Sequence, residues 1–251
     1  MIFEINLFYF VAIPAVILYG VAKGGFAGPI AVVGVPLMSI VVSPLQAAAI
    51  MLPILCLQDV IAVLSYRRKF HYKNLQTLLP GALLGIIAGT LWFRYLSDDL
   101  IRIFIGVISI AFVLNYLIIK ESIRPLKVSY LRGTLFGSLS GFISFGIHAG
   151  GIPFNMYMYP QKLDQKVLVG TAAIFFAIVN YIKVIPYFLL GQLNFENLIT
   201  SLILMPFAPL GFLIGYYLTH RVNERLFYSV AYLCLFFVGL KLLYEGIVNI
   251  L

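Results

Sequence analysis

Apolar positions in this chain gather into long unbroken stretches, and the polar positions crowd into short gaps between them. Six stretches, at 45–65, 75–93, 100–119, 167–190, 198–219 and 226–248, predict helices long enough to cross about 30 Å of hydrocarbon. Each stops at a polar cluster such as Arg67-Arg68-Lys69 or Ser97-Asp98-Asp99. Ser97 and Asn223 stand where a helix N-cap is expected, ahead of the third and sixth stretches.

Two regions break this pattern. Residues 6–42 are apolar but interrupted at Lys23-Gly24-Gly25, and residues 132–159 are interrupted at His148-Ala149-Gly150-Gly151. Paired glycines inside an apolar run end a helix because they admit backbone angles other residues avoid. Pro29, Pro36 and Pro153 follow the breaks and reinforce them. Each region reads as two half-helices, of about 15 residues apiece, that meet inside the membrane; this is short for a full crossing. Irregular backbone at that depth must be buried in protein or line a cavity.

The halves of the chain match at a constant offset. A shift of 126 residues pairs Gly20 with Gly146, Gly24 with Gly150, Gly25 with Gly151, Pro80 with Pro206, Gly85 with Gly211 and Gly89 with Gly215. The expected fold is therefore all-α and integral to the membrane, one domain over 1–251 with repeats at about 1–122 and 127–251. Each repeat holds one broken, re-entrant hairpin and three transmembrane helices, which makes eight transmembrane elements if a hairpin counts as one.

Charge placement gives the orientation. If each broken region enters and leaves on one side, a repeat crosses an odd number of times and the two copies are inverted. Arg67, Arg68, Lys69, Lys73, Lys120, Arg124, Lys127, Arg132, Lys162, Lys166, Arg221 and Arg225 then lie inside, and only Arg94 and Arg102 outside. That split, 12 to 2, obeys the positive-inside rule far better than the 8 to 6 of single-crossing regions. Both termini are expected outside the cytoplasmic membrane.

Composition narrows the class. The 251 residues are 62% hydrophobic and only 10% charged, too few charges to cover a water-facing surface. The net charge of +8 comes mainly from these loop lysines and arginines, which reads as topology rather than nucleic-acid binding. The Arg67–Lys73 cluster belongs to the same signal. Cys56 and Cys234 lie in apolar runs without a CxxC pattern and read as small core residues. The N-terminus lacks a basic segment ahead of its apolar stretch and reads as mature protein. Glycines at a four-residue step (81, 85 and 89; 133, 137 and 141; 211 and 215) predict close helix packing within the bundle, with a homodimer interface as the alternative use of such faces.

Candidate chemistry lies in the polar residues at membrane depth, where charge is expensive. Lys23, Gly24 and Gly25 stand at the first break, and His148, Gly150 and Gly151 at the second, with Asn155 just beyond. Asp59 and Gln58 lie in the first long run, Asn180 and Lys183 in its counterpart. Half-helix N-termini, a lysine and a histidine favour an anion. Asp59 is expected to pair with Lys23 or Lys183, or to carry a coupling proton. The bland alternatives are a structural pair for Asp59, a snorkelling Lys183 and a core histidine at 148. Tyr157, Tyr159, Trp92 and Tyr95 read as interface anchors. No HExxH, GxSxG or Walker-type loop occurs, so neither an enzyme nor a cofactor or metal site is expected.

The segment GVAKGGFAGPIAVVGVPL and its echo GFISFGIHAGGIPFNMY, with LQAAAI, VGTAAI and SYRRKFHYKNL, resemble the TauE/SafE sulfite-exporter-like (TSUP) family over nearly the whole chain. The resemblance implies a permease with duplicated halves that handles sulfite or organosulfonates. His148-Ala-Gly-Gly departs from the more continuous glycine stretch often found in that family. The expectation is a secondary transporter of a small anion, working by alternating access and coupled to a proton or sodium. The competing readings are a passive anion channel of the same fold and an intramembrane enzyme using Asp59 and His148 as an acid–base pair.

Overall fold

In the computed structural model, residues 2–26, 32–93, 95–118, 126–218 and 224–250 are described, and they contain helices and no strands. In chain order the helices are α1 (Ile2–Val21), α2 (Gly34–Met38), α3 (Pro44–Tyr66), α4 (Tyr72–Phe93), α5 (Asp98–Ile118), α6 (Tyr130–Ile147), α7 (Gly151–Met158), α8 (Gln165–Leu189), α9 (Phe195–Leu204), α10 (Phe207–Leu218) and α11 (Glu224–Ile250). A π turn, Ala22–Phe26, extends α1. Five helical segments are long and apolar enough to cross a membrane, and α9 with α10 makes a sixth.

Several starts follow directly from the sequence. Ser43, Ser129, Asp164 and Asn194 each accept a backbone N–H of the first turn of α3, α6, α8 and α9. Ser97 does the same for α5 through Leu100 N–H, at 3.3 Å. Asn223 falls outside the described residues.

The centre is α3 packed on α8. They run antiparallel, because Thr171 contacts His71 while Asn180 contacts Asp59. In α3, 67% of the spanning window is buried, against 28% in α11, so α3 is inner and α11 is peripheral. Around this core, α6 lies parallel to α4 and α1 lies parallel to α10, while α5 pairs with α11. Glycines set the spacing. A Cβ on Gly85 would sit 2.0 Å from the Ser138 carbonyl oxygen, and one on Gly215 would sit 2.3 Å from that of Val21. The glycine faces pack within the bundle, as small residues do where lipid gives no hydrophobic drive to associate.

The broken regions are less even than two equal halves. The entering arms α1 and α6 have 20 and 18 residues, roughly 30 and 27 Å at 1.5 Å per residue, whereas the returning helices α2 and α7 have 5 and 8. The first arm with its π turn, Leu7–Gly25, is by itself long and apolar enough to cross a membrane, where a half-helix too short to do so was expected. The second region leaves beside its entry point: Leu126 N–H donates to Pro160 O at 2.8 Å, and the Tyr157 hydroxyl meets Ser129. The first region places α2 back beside Ala15 and Tyr19 of α1, where Gly34 meets both.

Three further expectations change. The stretch 198–219 is not one straight helix; α9 and α10 meet at a 41° bend at Met205-Pro206, where proline offers no N–H to continue the ladder. Tyr157 is not an interface anchor; it is buried, with its hydroxyl among Asn74, Thr77 and Ser129. Trp92, Tyr95 and Tyr159 are exposed, as anchors would be. Cys234 is exposed on α11 rather than in the core, and Cys56 is half-buried.

Candidate functional site

The two breaks face each other across α3 and α8 and enclose a cavity of about 70 Å³. Lys23, Asp59, Asn180, His148, Ser144, Tyr19 and Gly151 supply its polar lining, and Leu55, Ala62, Val169 and Phe176 belong to its apolar wall. A buried water needs about 10–15 Å³ by this measure, so the space holds roughly five to seven waters or one oxyanion of four or five heavy atoms.

On the α3 side the charges are matched. Lys23 Nζ lies 2.5 Å from Asp59 Oδ1 and donates to Leu55 O at 3.2 Å. The other carboxylate oxygen, Oδ2, accepts from Asn180 Nδ2 at 2.6 Å. Asp59 is fully buried and Lys23 is partly buried. Asp59 therefore belongs to an ion pair, and it pairs with Lys23 rather than with Lys183.

On the α6 side a lysine stands without an acidic partner. Lys183 is fully buried and does not snorkel. Its three N–H groups have three acceptors: Ser144 O at 2.8 Å, Ser144 Oγ at 2.9 Å and His148 Nδ1 at 2.6 Å. That set satisfies an ammonium, and none of its members is a carboxylate. Accepting at Nδ1 fixes His148 as the Nε2–H tautomer, and Nε2 donates to Ala48 O at 2.9 Å. Lys183 stands behind the lining and reaches the cavity through His148 and Ser144.

His148 is held there by an unusual backbone. It ends α6 with φ 54°, a left-handed conformation that costs a non-glycine residue about 1–3 kcal/mol and persists only where surroundings enforce it. The enforcing contacts are on the last turn of α6. Tyr19 donates to the His148 carbonyl at 3.3 Å, Tyr187 to that of Phe145 at 2.5 Å, and Lys183 to that of Ser144. These donors satisfy carbonyls that a helix end leaves open.

Of the residues singled out from sequence, Lys23, Asp59, Asn180, His148 and Gly151 line the cavity. A Cβ at Gly151 would meet nothing within 4 Å, and as the first residue of α7 it has no acceptor one turn back for its N–H. Gly24 instead packs on α10 and its carbonyl accepts from Tyr66, while Gly150 packs on α6 and accepts from Ser140. Gln58 donates to Val16 O, away from the cavity, and Asn155 is buried in α7 outside the lining. Ser144, Tyr19 and Tyr187 were missed by sequence reasoning. Ser140 and Ser144, four residues apart in the apolar run before the second break, were the available signal. Asp59 and His148 share the cavity, yet their hydrogen bonds go to Lys23 and Asn180 in one case, and to Lys183 and Ala48 in the other.

A second, wider hollow of about 580 Å³ lies at the C-terminal end of α3 and the N-terminal end of α8. Arg67, Arg68, Lys69 and Lys166 line it, together with Gly25, Tyr66 and Tyr216, and no acidic residue does. Val169 borders both spaces. A basic vestibule thus adjoins the inner cavity on one face of the bundle. Among the described residues no cluster could hold a metal ion.

The fold and its interior define a multi-pass helical membrane protein with a small, largely apolar cavity into which an ion pair, a histidine, an asparagine and a serine point. The chain belongs to the sulfite exporter TauE/SafE family, whose profile matches residues 12–242. No curated protein and no solved structure matches it. Membership makes it a membrane transporter of the sulfite or anion exporter type.

Proposed function

We propose that this chain is a secondary transporter that moves a small monomeric oxyanion, sulfite or a short organosulfonate, across the cytoplasmic membrane by alternating access. The observation that carries the reading is Lys183: a fully buried lysine whose partners are all neutral, set behind a cavity of oxyanion size. A buried charge without a counter-ion is costly, and a bound anion supplies one. Lys183, His148 and Ser144 form the attracting side, Gly151 N–H and Asn180 complete the lining, and the Lys23–Asp59 pair forms the opposite wall.

Inverted repeats supply the moving parts. The pairing of α1 with α10 and of α6 with α4 is what two inverted copies would exchange, since the 126-residue offset carries Gly20 and Gly211 onto Gly146 and Gly85. In that arrangement both termini lie outside, and the basic vestibule faces the cytoplasm. The channel reading would need a continuous polar pore, and the apolar border at Val169 favours a carrier.

The deciding experiment is reconstitution into liposomes with sulfite, methanesulfonate, sulfoacetate, sulfate and a carboxylate, with and without a proton gradient. Saturable exchange of sulfite or methanesulfonate is expected. Flux that stays proportional to concentration would replace the carrier with a channel, and no flux of any anion would end the anion reading.

A further inference from the structure

We infer that the loaded site is electrically neutral: it takes a monovalent oxyanion as it stands, and a divalent one only together with a single proton that His148 accepts. The inference rests on the anion site proposed above and adds its charge selectivity and coupling.

The charges around the cavity can be counted. Lys23 and Asp59 cancel, and Lys183, taken as the ammonium that a bound anion holds charged, leaves one positive charge. The C-terminal end of α6, whose Ser144 carbonyl accepts from Lys183 of α8, and the N-terminal end of α7, which opens at Gly151, carry partial charges of opposite sign and offset each other. The titratable groups facing Lys183 and His148 are Lys23 on the π turn, Asp59 and Cys56 on α3, Tyr19 on α1 and Tyr187 on α8. Asp59 is the only anion among them, and both of its oxygens are engaged. One bound negative charge therefore closes the balance.

A second negative charge needs a proton, and the geometry has a place for it. His148 Nδ1 has two neighbours of opposite kind, Lys183 Nζ at 2.6 Å and the Ser144 carbonyl oxygen at 3.1 Å. In the empty site Nδ1 accepts from the ammonium. A proton arriving at Nδ1 turns it into a donor to Ser144 O and releases one N–H of Lys183. Two cations would then stand side by side, which a low-dielectric interior permits only beside a dianion. On release of the dianion the proton leaves, and Nδ1 accepts from Lys183 again. Proton uptake thus follows from the charge of the cargo.

Methanesulfonate and sulfate test this, since both have five heavy atoms and similar shape and differ by one charge. Calorimetric titration of the purified full-length protein, in two buffers of different ionisation enthalpy, reads the protons taken up on binding. Methanesulfonate should bind with no proton at any pH between 6 and 8. Sulfate should bind with one, and its affinity should rise about tenfold for each unit fall in pH. Sulfate binding without a proton, methanesulfonate binding with one, or sulfate failing to bind at both pH 6 and pH 8 each overturns the inference while leaving the anion site in place. If neither anion binds, the site itself is wrong. His148→Asn adds an independent check, because Asn tolerates the left-handed backbone and can accept from Lys183 but cannot take a proton. It should abolish the proton uptake and weaken sulfate at least tenfold more than methanesulfonate. Equal weakening of the two anions would count against His148 as the acceptor. The wild-type measurement decides the matter even if this variant does not fold.

Discussion

Lys23 is tied to Asp59, 36 residues further on, through Oδ1 at 2.5 Å, while Asn180 of α8 holds Oδ2. This contact joins the first break to the central helices α3 and α8. Removing one partner leaves the other charge buried or partly buried, at a cost of about 3–5 kcal/mol. Lys23→Met and Asp59→Asn should each lower the melting temperature in detergent markedly. The double variant should recover much of the loss. A double variant as unstable as the sum of the singles would mean the pair is not a unit.

Lys183→Met removes the buried lysine that has no acidic partner. Charge-assisted contacts contribute about 1.5–3 kcal/mol, so anion affinity should fall roughly ten- to hundredfold. Lys183→Arg should not restore it, because three acceptors around a tetrahedral ammonium do not suit a planar guanidinium. Titration calorimetry with methanesulfonate checks both, and wild-type affinity in Lys183→Met would remove Lys183 from the site.

Gly85 and Gly151 separate packing from function. At Gly85 an added methyl group meets the α6 backbone at 2.0 Å, so Gly85→Ala must push α4 away from α6 and should cost more than the about 1–3 kcal/mol usual for overpacking. At Gly151 the space is open, so Gly151→Ala should melt normally yet bind anion more weakly by occupying the cavity. Melting curves and binding isotherms on the two variants, taken together, make the comparison.

The vestibule should act at a distance. Neutralising Arg67, Arg68 and Lys69 together with Gln should raise KM several-fold at low salt, leave kcat near wild type, and flatten the dependence of KM on ionic strength. Uptake measured at two salt concentrations, from the side that bears these residues, tests it. An unchanged KM would leave them as topology signals alone.

Most of the helical frame was legible along the chain. The six apolar stretches reappear as α3, α4, α5, α8, the α9–α10 pair and α11, because a span must be long, apolar and internally hydrogen-bonded in lipid, and those demands are local. The glycine pairs located both breaks for the same reason. The 41° bend at Pro206 was not legible, since Pro80 at the matching position sits inside an uninterrupted α4.

The site divides in the same way. Which ionisable residues would be drawn into the helical core could be read from position alone: Asp59, His148 and Lys183 are buried there and Lys23 is partly buried beside them. Which of them cancel was settled only by folding, because Asp59 could have reached either lysine, and the approach of the π turn to α3 gave it Lys23. Lys183 was therefore left without an acidic partner, and Ser144 and His148 became its route to the cavity. Charge and periodicity are properties of a chain; pairing depends on distances of a few ångströms between segments up to 121 residues apart, and only the tertiary structure sets those.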